Sequence, residues 1–301
     1  MSPTWTDSFS FVMGAVRRRD LAILALVKDE SARKRLDHTF FFEWSGGEWA
    51  GSERALAWGV VGMSVCAQPI EQVLALGENG QVWCCGSGDL HEEHVHRDGD
   101  GRPRHALRGI RAIGGRAYVV GMDRQAYRRE GVGLWVPIDR GARPAPGGPV
   151  VGFEAVDGFA ENEIYAVGWD GAIWSYDADH WSELPSPTNL VLSDVCCAGD
   201  GLVYACSRRG GLIRGRGQRW EVVENSITSD DIWSLAWYRE KLYFSTMRGV
   251  YALEGDAIVP VAMGADPPAT CFNLSTRDGV LWSIGAKDVM AFDGETWTRI
   301  D

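Results

Sequence analysis

Apolar positions along the 301 residues fall into short runs of four to eight, separated by Gly, Asp and Asn. That pattern predicts short strands joined by tight turns. The runs also recur. Tyr165, Tyr204, Tyr243 and Trp282 stand 39 residues apart, Gly171, Gly210 and Gly249 keep that interval, and so do Trp181 and Trp220. A fixed period of this length marks a repeat architecture. In the unit around Tyr165 the strands read "VGFEAVDGF", "EIYAVGWD", "GAIWSYD" and "HWSELPS".

Laid in register, the chain gives seven such units, over residues 9–53, 54–97, 107–139, 150–186, 190–225, 230–264 and 269–301. The first unit carries "ESARKRLD" between its middle strands, enough for a polar helical turn or two, and "RGARPAPGG" (Arg140 to Gly148) is a Pro/Gly-rich loop. Inner strands such as Ile164 to Val167 are apolar at both parities, so each sheet needs cover on both faces. Stacking the sheets around an axis supplies it and leaves only short outer edges exposed. The expected fold is therefore all-β: a seven-bladed β-propeller of four-stranded antiparallel blades, one domain over residues 1–301. The chain ends on an outer strand, "TWTRID", so either the termini abut or "PTWTDS" adds a strand to the last blade.

The stretch "DGAIWSYDADHWSELPSPT" resembles bacterial propellers whose units read DGxIWxYDGxxWxxLxSPT, and the resemblance extends over nearly the whole chain. The Trp-Asp repeat family is only distantly similar, because no Gly-His opener and no strand-ending Trp-Asp dipeptide recurs. "FDGETW" (Phe292 to Trp297) is similar to a shortened Asp-box, one residue short before the Gly and present once, which argues against sialidase chemistry.

Thirty basic against 41 acidic residues leave a net charge of -11, which disfavours nucleic acid and anionic lipid and favours cationic surfaces. The longest apolar run, Leu21 to Val27, is far below the roughly 18 residues of a membrane span. "MSPTWTDSFS" lacks the basic start and apolar run of a secretory signal. Seven cysteines without a CxxC read as buried, reduced thiols of a cytoplasmic protein.

Candidate chemistry is sparse. If Glu93 to Asp98 is an outer strand, His94, His96 and Asp98 share one face at two-residue spacing, a geometry that can hold a divalent metal. A solvated outer strand explains the same residues more simply. Arg208, Arg209, Arg214, Arg216 and Arg219 read as a cluster near one turn, able to grip carboxylates, or as ordinary solvated hairpin tips. Trp169 and Asp170 occupy a hairpin tip, where an aromatic on a rigid scaffold can anchor a partner. Trp233 and Trp237 bracket the inner strand of the sixth blade, where burial is the expectation. No nucleophile elbow, phosphate loop or assignable carboxylate pair is written, so catalytic residues and cofactors are expected to be none.

These readings converge on a monomeric, non-enzymatic scaffold that binds another protein through Trp169, Asp170, Arg208, Arg209, Arg214 and Arg216. In its sharper form the partner is basic, as with a toxin neutralised by an immunity-type protein. The alternative is a propeller hydrolase, lyase or sugar-binding protein with a site at the axial channel or at the histidines.

Overall fold

The structure is a computed structural model describing residues 4–51, 55–96, 105–145 and 147–301. Seven antiparallel sheets of four consecutive strands make it a seven-bladed β-propeller. The blades span Phe9–Gly51, Val60–His94, Leu107–Pro137, Phe153–Leu184, Leu192–Val223, Ser234–Pro260 and Asn273–Arg299. Register within blade four follows the sequence pattern, with Tyr165 on the second strand opposite Asp157 on the first and Ser175 on the third. The short helix Asp29–Arg33 takes in the first four residues of "ESARKRLD". No helix among the described residues is long and apolar enough to cross a membrane.

The chain divides into two compact units. Val61–Val223 holds blades two to five. Its core lies between facing sheets: Leu74 and Leu76 of blade two meet Val119, Tyr127 and Trp135 of blade three. Tyr118 and Val120 then meet Phe153 and Trp174, and Tyr165 and Ile173 meet Val195 and Ile213. Each buried aromatic contributes on the order of 4–6 kcal/mol of gross transfer free energy, which is why the aromatic positions carry the period.

The other unit, Met1–Val60 with Glu224–Asp301, holds blades one, six and seven. Tyr243 and Val250 of blade six pack on Leu274 and Met290 of blade seven, while Phe11 and Leu24 of blade one pack on Trp282 and Ile284. First and last blades share no strand. Thr4–Asp7 form a single 3-10 turn, so the described residues of "PTWTDS" add no strand to the four of blade seven. They are joined by one backbone bond, Phe11 N to the Ala286 carbonyl at 2.9 Å, and by side chains: Gly14 N donates to Asn273 Oδ1 at 3.2 Å, Val16 N to Ser275 Oγ at 3.0 Å and Arg19 N to Asp278 Oδ2 at 2.9 Å. The Lys287 ammonium donates to the carbonyls of Thr6 and Phe9 and to Asp29 Oδ2. Trp49 Nε1 reaches the Ile300 carbonyl at 3.2 Å.

One local rule explains an Asp four residues before a Trp in blades four and seven. Asp177 Oδ1 accepts from the backbone N–H of Asp179 and His180, and Asp293 Oδ1 from Glu295 and Thr296. The turn so made delivers Trp181 against Tyr176 and Trp297 against Phe292, with ring centroids 5.1 and 4.9 Å apart.

Candidate functional site

In blade four the second strand ends at Gly168, and Trp169–Gly171 form a tight turn closed by Ala172 N donating to the Trp169 carbonyl at 3.0 Å. Asp170 and Gly171 both adopt left-handed φ, 57° and 70°. Glycine is required at the second position, because a Cβ there would stand 2.0 Å from the Thr188 carbonyl oxygen. The turn is thus wedged against the linker that leaves the blade. The linker that enters the blade touches it as well, with Trp169 N donating to the Gly152 carbonyl at 3.0 Å.

Trp169 is half-buried, and its indole N–H donates to Glu154 Oε1 at 2.6 Å, so the ring is fixed before any partner arrives. Val150, 70% exposed, stands on the entering linker, and the exposed Leu190 and Val191 stand on the leaving one. Thr188 Oγ1 accepts from Leu190 N, and Ser186 Oγ donates to the Thr188 carbonyl, which stiffens the leaving linker. Both linkers that touch the turn thus present apolar side chains outward, and Asp170 on the turn is exposed. The sequence pointed to Trp169 and Asp170. It gave no sign of Val150, Leu190 and Val191, since an apolar residue in a linker reads equally as buried or exposed.

The arginines do not form one cluster. Arg208 and Arg209 lie exposed on the turn between the second and third strands of blade five, the same kind of turn as Trp169–Gly171 in blade four. Arg216 lies at the other end of the third strand, Leu212–Arg216, about 13 Å away at the rise of an extended chain. It is committed internally. Its guanidinium donates to both oxygens of Glu163 at 2.8 and 2.7 Å and lies 4.4 Å over the Phe159 ring. That hydrogen bonding holds the Glu163 carboxyl below its usual range. Arg214 faces Glu221 across the hairpin at 2.7 Å.

The outer strand of blade two ends at His94, short of the expected Asp98. Val95 N donates to the Gly80 carbonyl and its side chain enters the core, which turns the chain inward. His94 is therefore exposed while His96 is buried, although the rings sit 5.7 Å apart and His94 Nδ1 lies 3.0 Å from the His96 carbonyl. Asp98 lies outside the described residues. Among the described residues the donors of Cys84, His91 and Glu93 come within 4.8 Å of one another. The Glu93 carboxylate is already taken, however. Arg129 holds it with Nε at 3.1 Å and with Nη2, and it also accepts from Trp135 Nε1 at 3.0 Å, with His91 Nε2 3.0 Å away. Burial pushes the Cys84 thiol up, disfavouring a thiolate ligand. A guanidinium already fills the place a cation would need.

Sequence reasoning missed this Arg129–Glu93 pair. Its only trace is parity, since Glu93 stands two residues before the buried Val95 and therefore points inward with it. Burial alone would push the Glu93 carboxyl up, but hydrogen bonds from Arg129 and His91 outweigh it and hold the group below the usual carboxylate range. All seven cysteines are free, and burial pushes the thiols of Cys66 and Cys271 up.

No family model matches the chain. The immune protein Tsi7 of Pseudomonas aeruginosa is 50% identical to it over 299 residues, 97% of each chain. Among solved structures, the WD40 β-propeller domain of Doa1 is similar with a TM-score of 0.69 at 12% identity, covering 94% of this chain and 91% of that one. YCF48 bound to D1 peptide gives 0.67 at 13%, covering 95% and 92%. Virginiamycin B lyase from Staphylococcus aureus gives 0.62 at 12%, covering 80% and 83%. At these identities the structural likeness is one of fold alone.

Proposed function

Because this chain belongs to the family of the immune protein Tsi7, we propose that it is an immunity protein, which binds a toxin and neutralises it by occupying its surface without chemistry of its own. The observation that carries the reading is 50% identity sustained over 97% of both chains, a likeness that runs through every blade. The toxin is basic where it is held, since a net charge of -11 steers cationic surfaces toward the protein and repels anionic ones. The blade-four group serves as a contact: Trp169 is the preset aromatic, Val150, Leu190 and Val191 give apolar area, and Asp170 takes a cation. Arg208 and Arg209, on the equivalent turn one blade on, take carboxylates of the partner. Arg214 and Arg216 remain with Glu221 and Glu163. The protein acts in the cytoplasm as a monomer without a cofactor.

Calorimetric titration with each protein encoded next to this chain's gene, purified as a candidate toxin, tests the reading. The expected result is a one-to-one complex with a Kd of nanomolar order, associating more slowly as salt rises, and rescue of growth when both are expressed. Absence of a stoichiometric complex at low salt would overturn it.

A further inference from the structure

A second outward apolar group lies in the unit that holds blades six and seven, each member following a buried neighbour in the chain. Ile232 is buried and Trp233 beside it is 42% exposed; Thr246 is buried and Met247 is 45% exposed; Cys271 is buried and Phe272 is half-exposed. The Trp233 and Phe272 rings meet, and backbone hydrogen bonds bring Met247 alongside. Trp233 N donates to the Ser245 carbonyl at 2.9 Å, Cys271 N to the Met247 carbonyl at 3.1 Å, and Ser245 Oγ to the Phe272 carbonyl at 2.5 Å, while the rings of Trp233 and Phe272 stand 6.3 Å apart. Their backbones are held by strand and linker hydrogen bonds, so the side chains cannot turn inward without breaking them.

We propose that Trp233, Met247 and Phe272 form a second anchor for the toxin, receiving an apolar side chain that is flanked on the toxin by Lys or Arg. This rests on the immunity reading above. The charge around the anchor selects the occupant. The segment Glu224 to Trp233 contains Glu224, Asp230 and Asp231 and no basic residue. It is shaped by its own turns, with Asn225 Oδ1 accepting from Ile227 N and Thr228 N, and Thr228 Oγ1 from Asp230 N. Arg248, 3.7 Å from Asp230 and 80% exposed at the side chain, offsets part of the Asp230 charge through water. A second copy of this chain would bring the same acidic group against itself in a two-fold contact, which like-charge repulsion disfavours. A basic partner gains from both terms. Trp is also the residue most enriched among side chains that dominate an interface.

Titration of the protein that the calorimetry above identifies as the toxin into variants of the full chain decides the matter. Trp233→Ala is expected to raise Kd at least tenfold and Met247→Ser several-fold, with melting curves close to wild type because both side chains face solvent. Asp230→Lys combined with Asp231→Lys is expected to slow association and flatten its salt dependence. If Trp233→Ala and Met247→Ser both stay within about twofold of wild type while Trp169→Ala weakens binding, this anchor is refuted and the immunity reading stands. If wild type forms no complex, both fall. A wild-type dimer that Trp233→Ala converts to monomer would make the group a self-contact and overturn the proposal.

Discussion

Replacing Arg129 by Met removes the counter-charge of a carboxylate that water hardly reaches, since Arg129 is 0% and Glu93 2% exposed at the side chain. The lost partners are the paired contacts to Glu93, the bond to Gln72 Oε1 at 3.2 Å and the contact with Cys66 Sγ at 3.6 Å. Breaking a buried pair from one side costs about 3–5 kcal/mol, because the orphaned charge keeps its desolvation penalty. At about 2–4 °C per kcal/mol that is a fall in Tm of roughly 6–20 °C.

The pH dependence gives a sharper check. In the wild type the Glu93 carboxyl is held low, so its contribution to stability is present above the ordinary carboxylate pKa and is lost as pH falls through the lowered value. Without Arg129, burial dominates and the carboxyl rises, so the folded variant takes up a proton more readily than the unfolded chain. The variant's deficit should therefore shrink between pH 8 and pH 5. Adding Glu93→Gln should recover much of the loss, since a neutral amide still accepts from Trp135. Thermal melts by circular dichroism across that range decide it. A loss below about 1 kcal/mol, or one independent of pH, would refute the account of a buried, compensated charge.

Other outcomes follow from the same structure. Lys287→Met removes three bonds that tie the amino-terminal segment to blade seven; for a partly exposed ammonium the expected cost is about 1–2 kcal/mol, with hydrogen exchange speeding up at Thr6 to Phe11 and unchanged protection counting against the clasp. Gly171→Ala forces a Cβ into the Thr188 carbonyl at left-handed φ, so it should cost at least about 1–3 kcal/mol and loosen toxin binding at Trp169; a neutral melt would contradict the wedge. Thiol titration should find seven free cysteines on unfolding, yet the native protein should react slowly at pH 8 because burial raises Cys66, Cys84, Cys206 and Cys271; fast native labelling of several thiols would refute it.

The repeat pattern alone determined the architecture of this chain. An interval of 39 residues and strands apolar at both parities admit few solutions besides stacked four-stranded sheets, and Tyr165, Tyr204, Tyr243 and Trp282 all prove buried on second strands. The turns at Asp177 and Asp293 have a local cause of the same kind, since their side chains cap backbone groups two and three residues on. What each polar side chain meets was not legible. Arg216 read as an open cation until Glu163, 53 residues earlier, was brought to it by the neighbouring blade; Glu93 read as a solvated strand residue until Arg129, 36 residues later, covered it. Trp233 looked like core because its strand is inner, yet it stands at the strand's entry with the outward parity set by Ile232. Period and alternation are properties of the chain, whereas the partner of a charge and the exposure of a ring depend on the sheet packed against it, and only the tertiary structure supplies that sheet.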